Sequence, residues 1–263
     1  MNTIVVLIDF TEGSRSALLQ GAALAKKADA KLIGLHIVNS SEKVGDGEKL
    51  LEHFMEHNLK DSVHYEAVVA EGSLNGAVRS ALKKISPDLV IVCTHGIKGI
   101  AQHLFGALIL KLVQEINFPC IVVQDNCAMD LINIDTILFP IGPHPDFTIK
   151  IKQTAALAKM LNAKIVIYEI ERPNIDFEDI LNKNIVAAKE YFQNGNIQFD
   201  VVIEDNKIIT LGYFRQTMEY AKENKIYLIS QMASVSNNDV VFGVGDKEKF
   251  FVNTIGLSIL SCN

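Results

Sequence analysis

The chain has 263 residues, of which 49% are hydrophobic and 21% charged, a balance typical of a globular protein with an ample core. Its net charge of −6, without any Lys/Arg-rich run, argues against a nucleic-acid surface but not against a small anion held by backbone groups. No segment approaches the roughly 20 apolar residues that span a bilayer, and the four cysteines lack metal-ligand spacing, so a cytoplasmic protein without membrane or nucleic-acid partners is expected.

In chain order, the first half alternates short apolar runs with helical patterns. Leu18, Ala22 and Ala25 recur at i, i+4 and i+7 and indicate a helix after the first run. Continuous apolar runs separated by helices predict a parallel sheet covered on both faces, with ligands at the carboxyl ends of its strands. Asp9 ends the first strand and Cys93 the fourth, so both belong on that ligand edge. The predicted strands are about 3–8, 32–38, 63–70, 88–93 and 120–124.

The chain also repeats itself. A shift of 133 residues lays 22–38 on 155–171, 3–9 on 136–142 and 68–72 on 201–205. A shift of 137 then lays 89–92 on 226–229 and 104–107 on 241–244, which implies a small insertion before the fourth strand of the second copy. Internal repetition is a stronger indicator of the overall architecture than any local pattern. We therefore expect two similar domains, 1–128 and 134–263.

The succession of short motifs resembles that of a tandem universal stress protein. It includes "VVLIDFTEGSRSAL" (5–18), "LHIV" (35–38), "VAEGS" (69–73) and "PCIVV" (119–123). The resemblance implies an α/β fold of two tandem Rossmann-like domains of the HUP type, each with a five-stranded parallel sheet flanked by helices. The family's pattern Gly-x2-Gly-x9-Gly-Ser/Thr falls on Cys93, Gly96, Gly106 and Ala107, so two of its four defining positions are kept.

The resemblance implies that, in ATP-binding relatives, the Asp after strand 1 contacts adenine and the end of strand 2 lies against the base. Those roles fall on Asp9 and Val38, while the segment from Cys93 to Ala107 would hold ribose and phosphates. Phe10 in the turn and Thr94 in the "THG" signature complete the candidate cofactor-binding set. The resemblance implies no catalytic residue and no metal, so an enzyme is not expected.

Each candidate also has a structural interpretation. Asp9 can accept backbone N–H groups of its own turn, and Gly96 and Gly106 can serve chain conformation alone. Cys93 can instead be a redox-sensitive thiol at an exposed edge. The hydroxyl missing at Ala107 would weaken phosphate binding by about ten- to a hundred-fold.

The second copy has lost more of the pattern than the first. Gly142 stands in the position of Asp9, and the loop at 230–244 has Ala233 and Val244 where the first copy has Gly96 and Ala107. We therefore expect weak binding of ATP or another adenine nucleotide in the first domain and none in the second.

The expected function is a regulatory or protective role in the stress response through ligand-dependent association with unknown protein partners. The alternative is a scaffold or a module for another small molecule, without nucleotide. Because exposed apolar edge strands promote association, we expect 120–124 to run against 257–261 in an intramolecular pseudo-dimer, either monomeric or paired further as a homodimer. The polar segment 40–49 is open to two interpretations, an ordered lid or a mobile loop.

Overall fold

A computed structural model describes residues 1–60, 62–94, 111–171, 178–206, 213–237, 248–251 and 253–263. In it, ten strands form one sheet in the order β3-β2-β1-β4-β5-β10-β9-β6-β7-β8. The strands are parallel within each half. From the outer edge of the sheet to its centre, the strands of the second half follow the same order as those of the first. The strands are β1 Thr3–Leu7, β2 Lys31–Val38, β3 Tyr65–Glu71, β4 Leu89–Thr94, β5 Cys120–Gln124, β6 Thr136–Pro140, β7 Lys164–Ile170, β8 Phe199–Glu204, β9 Leu228–Met232 and β10 Ser258–Cys262.

Helices connect the parallel strands, as the alternating pattern predicts. The described helices are α1 Glu12–Ala28, α2 Val44–Leu59, α3 Leu74–Ile85, α4 Phe147–Leu161, α5 Glu178–Asn194, α6 Tyr213–Glu223 and the single turn α7 Glu248–Phe251. Residues 111–115 are also helical. The predicted apolar stripe of α1 is confirmed, since Leu18, Ala22 and Ala25 are buried against the sheet.

The ends of two strands differ slightly from the sequence prediction. β1 ends at Leu7, so Asp9 lies two residues beyond it, although the Ile8 N–H still donates to Leu35 O at 2.9 Å. β4 continues past Cys93 to Thr94, because β5 continues beside it to the same level. Asp9 and Cys93 nevertheless both lie at the carboxyl edge of the first half, as expected.

The polar segment 40–49 is a 3₁₀ turn followed by the first residues of α2, and not a loop. Two glycines in this stretch obscure the helix in the sequence. At Gly47 a β-carbon would lie 3.1 Å from Val38 Cγ1 and 3.4 Å from Val69 Cγ1. The missing side chain therefore lets α2 approach β2 and β3 closely, which outweighs the low helix propensity of glycine.

The two halves meet where β5 and β10 pair antiparallel, with Ile121 opposite Leu260 and Val122 opposite Ile259. This is the expected ladder, shifted by one residue at its second strand. Every residue of both strands is buried. Pairing two apolar edges in this way removes an association hazard from each half.

A repeated glutamine holds the segment that follows the last strand of each half. Gln20 Oε1 accepts the Leu131 N–H at 3.1 Å, and Gln153 Oε1 accepts the Asn263 N–H at 3.1 Å. The two glutamines are related by the same shift of 133 residues that defines the sequence repeat. The repeat therefore extends to individual tertiary contacts.

Candidate functional site

A cavity of about 240 Å³ opens at the carboxyl edge of the first half, between β1, β2, β4 and α3. Its polar lining consists of Asp9, Ser14, His36 and Cys93, and the remaining lining residues are aliphatic. Ligands of parallel α/β sheets bind at this edge. The sequence-predicted residues Asp9 and Cys93 are thus brought together at one small, mostly apolar cavity.

Asp9 organises the turn that leads into α1. Its Oδ1 accepts the Thr11 backbone N–H at 3.1 Å and the Thr11 hydroxyl at 2.5 Å. Thr11 is in turn the N-cap of α1, and its hydroxyl oxygen accepts the Ser14 N–H at 3.2 Å. Asp9 therefore has the structural role foreseen for it, and its exposed side chain also borders the cavity.

Phe10 has left-handed backbone (φ 65°), which reverses the chain after Asp9. Its ring packs on His36, with centroids 4.5 Å apart, and edge-on against Phe54 at 5.4 Å. His36 Nδ1 lies 2.8 Å from Ile8 O, and because a carbonyl oxygen accepts, Nδ1 carries a proton. Sequence reasoning missed His36 as a lining residue; its position near the carboxyl end of β2 was the available signal.

Cys93 is 7% exposed, so the expectation of a thiol at an exposed edge is wrong. Its thiol donates to Asp125 Oδ1 at 3.2 Å and contacts Thr94 O at 3.3 Å. Burial, together with the nearby Asp125 carboxylate, raises the pKa of the Cys93 thiol far above its ordinary value. A protonated, buried thiol is a poor nucleophile, and this argues against a redox role.

Gly13 is the residue that makes room for Cys93. A β-carbon at Gly13 would lie 2.8 Å from Cys93 Sγ and closer still to Asp125 Oδ1. The first turn of α1, the end of β4 and the residue after β5 are therefore packed together around one sulfur atom. Neither Gly13 nor Asp125 was among the predicted site residues, because no local pattern links three segments so far apart.

Three predicted residues lie near the edge but are not among the described residues that line the cavity: Phe10, Thr94 and Val38. The Thr94 hydroxyl is buried and donates to Gln124 Oε1 at 2.8 Å, toward the junction with β10. Val38 is also buried, and its carbonyl accepts the Gly72 N–H at 2.9 Å. Gly96, Gly106 and Ala107 lie outside the described residues.

In the second half, residues at the corresponding edge form hydrogen bonds with one another. The Gly142 carbonyl accepts from Asn184 Nδ2 at 2.8 Å. His144 Nε2 lies 3.1 Å from Ser234 Oγ, while its Nδ1 accepts the Asp146 N–H at 3.1 Å. Since Nδ1 accepts, the proton of the neutral ring is on Nε2, so His144 donates to Ser234 and cannot act as its base.

A buried lysine occupies the core of the second half where the repeat places Ala17 in the first. Lys150 Nζ donates to Pro140 O at 2.5 Å and lies 4.4 Å from the centroid of the Phe139 ring and 5.1 Å from that of Phe147. Cation–π contacts and a carbonyl acceptor together satisfy the ammonium group. The two halves therefore differ in the chemistry beneath their carboxyl edges. Val244 lies outside the described residues.

Among the residues that the structure describes, no group of three or more His, Cys, Asp or Glu side chains lies close enough together to hold a metal ion. No described helix is both long and apolar enough to cross a membrane.

The fold is that of a doubled α/β protein. Each half has the strand order 3-2-1-4-5, and the first half has a cavity at its carboxyl edge. Residues 1–124 match the sequence model of the universal stress protein family. By sequence, the first half is therefore a domain of that family, and the second half repeats the same fold.

Individual relatives agree with this assignment. Universal stress protein YxiE of Bacillus subtilis (strain 168) is 25% identical in an alignment of 146 positions that covers 47% of this chain and 99% of the relative. A universal stress protein of Archaeoglobus fulgidus DSM 4304 aligns over 100% of this chain and 96% of its own, with a TM-score of 0.70 and 13% identity. A protein of unknown function from Pseudomonas aeruginosa PAO1 covers 100% and 92%, with a TM-score of 0.64 and 12% identity. At 13% and 12% identity, the likeness to these two solved structures establishes the doubled fold alone.

Proposed function

We propose that this protein is a regulatory or protective stress protein whose first domain, 1–128, binds an adenine nucleotide weakly. The second domain, 134–263, is its structural partner in an intramolecular pseudo-dimer. The observation that carries the proposal is the cavity at the carboxyl edge of the first half, with the Asp9 carboxylate on its border.

The size and lining of the cavity suit a nucleobase. Its volume of about 240 Å³ lies below the roughly 300–1,000 Å³ of pockets that enclose drug-sized ligands, so a flat base would fit inside and ribose and phosphates would extend outside. Aliphatic walls favour the faces of a base, and a carboxylate accepts from an exocyclic amino group. The amino group of adenine is such a donor, which makes Asp9 the specificity group of the proposal.

Cys93 and Ala107 are the features that would weaken phosphate binding. Cys93 adds a buried side chain where the family pattern has glycine, and Ala107 lacks the hydroxyl of Ser or Thr. A hydrogen bond to a charged group contributes about 1.5–3 kcal/mol, so restoring one should tighten binding by about ten- to a hundred-fold. We expect Cys93→Gly with Ala107→Ser to bind ATP more tightly than the wild type in isothermal titration calorimetry.

Asp9→Ala should abolish binding in the same assay, but it also removes the acceptor for Thr11. Asp9→Asn separates the two roles, because it keeps an oxygen that can accept from Thr11 but replaces the other carboxylate oxygen, an acceptor for the adenine amino group, by an NH2 donor. Asp179→Asn, on the exposed first turn of α5, is the matched control and should bind like the wild type. Absence of detectable binding by the Cys93→Gly, Ala107→Ser variant would refute the nucleotide proposal.

The aliphatic lining of the cavity also favours a second candidate, a module that holds a different small molecule. Native mass spectrometry of the purified protein distinguishes the two, because it reports the mass of whatever is bound. An ATP-hydrolysing enzyme is not part of the proposal, since the described residues include no group of three or more His, Cys, Asp or Glu side chains that could hold a metal ion for the phosphates. All four cysteines are unpaired, which supports a cytoplasmic location.

A further inference from the structure

The candidate nucleotide site has two carboxylates beside it, from distant segments of the chain. Asp9 follows β1 and lines the cavity, Asp125 follows β5, and both residues are exposed. The Cys93 thiol, which also lines the cavity, donates to Asp125 Oδ1 at 3.2 Å, so this oxygen lies directly next to the cavity wall. Burial raises the pKa of the Cys93 thiol most, and the nearby charges of Asp125 and Asp9 raise it further. Two negative charges therefore flank one end of the cavity.

A tight turn holds Asp125 in this position. The Cys127 N–H donates to Gln124 O at 3.0 Å and closes the turn around Asp125. The next residue, Asn126, donates from Nδ2 to Thr254 O at 3.0 Å, which ties the turn to the segment before β10. The carboxylate is thus placed by its backbone as well as by the thiol that donates to it.

The same carboxylate lies against the first turn of α1. A β-carbon at Gly13 would collide with Asp125 Oδ1, so the missing side chain is what lets the carboxylate approach the helix. Asp9 lies at the same helix end, where its Oδ1 accepts the Thr11 N–H at 3.1 Å. The amino end of a helix has a partial positive charge and attracts anions. Here the protein's own carboxylates occupy the place where an anionic group of a ligand would otherwise be favoured.

The described lining of the cavity contains no Lys or Arg side chain. Arg15, one turn further along α1, donates to Glu12 Oε2 at 3.2 Å and to Asn58 Oδ1 at 2.8 Å. Its guanidinium group is therefore directed toward α2 and not toward the cavity. Within the described residues, a phosphate group at this end of the cavity would meet carboxylates, and like charges repel more strongly beside an apolar wall than in bulk water.

We propose that the first-half site selects an adenine nucleoside without phosphate groups, and that Asp125 is the residue that sets this selectivity. The inference rests on the proposed function, because it takes the base to lie in the cavity with Asp9 as an acceptor. A cavity of about 240 Å³ leaves the 5′ end of the ligand outside, near the two carboxylates. A 5′ hydroxyl donates a hydrogen bond to a carboxylate, whereas an ionised phosphate has no proton to donate and is repelled.

The test measures the affinity of the full chain for ligands that share the base and differ in charge at the 5′ position. Isothermal titration calorimetry without divalent cations compares 5′-amino-5′-deoxyadenosine, adenosine, AMP and ATP. We expect adenosine to bind about ten-fold more tightly than ATP, with AMP between them, and the 5′-ammonium ligand to bind at least as tightly as adenosine. Raising the ionic strength from about 0.01 M to about 1 M shortens the Debye length from about 30 Å to about 3 Å, so it should reduce the difference between adenosine and ATP.

One variant assigns the selectivity to Asp125. Asp125→Asn removes the negative charge but keeps the shape of the side chain and an oxygen that can accept from the Cys93 thiol. It should tighten ATP binding by about ten-fold. Adenosine affinity should change by less than about two-fold, because a hydroxyl can accept from the new NH2 group as well as donate. Asp130→Asn, at an exposed position of the same connecting segment, makes the same change in net charge and should bind ATP like the wild type.

Three outcomes would overturn this inference and leave the proposed function intact, because an adenine ligand would still bind. They are ATP binding as tightly as adenosine, a preference for adenosine that Asp125→Asn leaves unchanged, and ATP binding that exceeds adenosine binding once Mg²⁺ is added. The last result would assign the carboxylates to a cation that accompanies the phosphates. Absence of binding of all four ligands, in both the wild type and Asp125→Asn, would instead contradict the proposed function and this inference with it.

Discussion

The packing around Cys93 provides the sharpest test of the site geometry, through the substitution Gly13→Ala. A methyl group at Gly13 would stand 2.8 Å from Cys93 Sγ and closer to Asp125 Oδ1. Both side chains would have to move, and their thiol–carboxylate hydrogen bond at 3.2 Å would be strained or lost. Overpacking of this kind costs about 1–3 kcal/mol.

The higher helix propensity of alanine offsets part of that cost. Alanine is favoured over glycine within a helix by up to about 1 kcal/mol, and Gly13 lies in the first turn of α1, so we expect Gly13→Ala to destabilise by about 1–2 kcal/mol in net terms. Gly45→Ala in α2 is the matched control, because a β-carbon there meets nothing within 4 Å. That variant should be neutral or more stable than the wild type by up to about 1 kcal/mol.

The assay is urea unfolding followed by circular dichroism, with the slope m checked for constancy. Adding Cys93→Ala removes the sulfur and releases the Asp125 carboxylate, which can then turn away from the new methyl group. The second substitution should therefore partly rescue Gly13→Ala, and the double-mutant cycle should show a coupling energy of at least about 1 kcal/mol. Two results would refute the reasoning: additive effects of the two substitutions, or a Gly13→Ala variant as stable as Gly45→Ala. Either would mean that the sulfur does not fill the space beside α1.

Three further outcomes follow from burial and charge. A thiol reagent at pH 8 should modify the half-exposed Cys127 in the native protein and reach the three buried cysteines only on unfolding, since burial raises the pKa of Cys93, Cys120 and Cys262; rapid modification of four thiols would contradict this. Burial also raises the pKa of Glu169, which disfavours its ionised form in the folded state, so stability should increase as pH falls through the folded pKa. Glu169→Gln should therefore raise the free energy of unfolding in urea at pH 7, by at most about 1 kcal/mol for a half-exposed group. The difference should vanish near pH 4, and a constant difference would exclude the ionisation as its cause. Leu260→Ala, in the fully buried β10, should cost about 2–5 kcal/mol and lower one shared unfolding transition; separate transitions of the two halves would show that the junction does not couple them.

Much of the fold was predictable because its signals are local. The five strands of the first half were placed to within about two residues, since continuous Val/Ile-rich runs leave little ambiguity. A helix between β2 and β3 was expected, but its start within 40–49 was left open between a lid and a loop, because Gly45 and Gly47 lower the helix propensity and polar residues hide the apolar stripe. What stabilises it is the close approach to Val38 and Val69, which no sequence window contains.

Some residues of the candidate site could likewise be predicted from the sequence, and others could not. Asp9 and Cys93 were expected at one edge because strand ends meet there in any parallel sheet. Thr94 was expected at the site too, but side chains alternate along a strand, and its hydroxyl is directed instead to Gln124. His36, Gly13 and Asp125 were not foreseen, because each reaches the site through a contact between segments distant in the chain.

The sequence by itself determined that two similar α/β units follow one another and that their last strands need partners, because hydrophobic periodicity and repetition are properties of the chain. Only the tertiary structure decided that the buried Cys93 thiol is bonded to Asp125, that His144 and Ser234 occupy the second carboxyl edge, and that Lys27 reaches the Leu161 carbonyl across the junction. Burial and hydrogen bonding depend on which groups share a volume, and residues separated by 32, 90 and 134 positions share one only after folding.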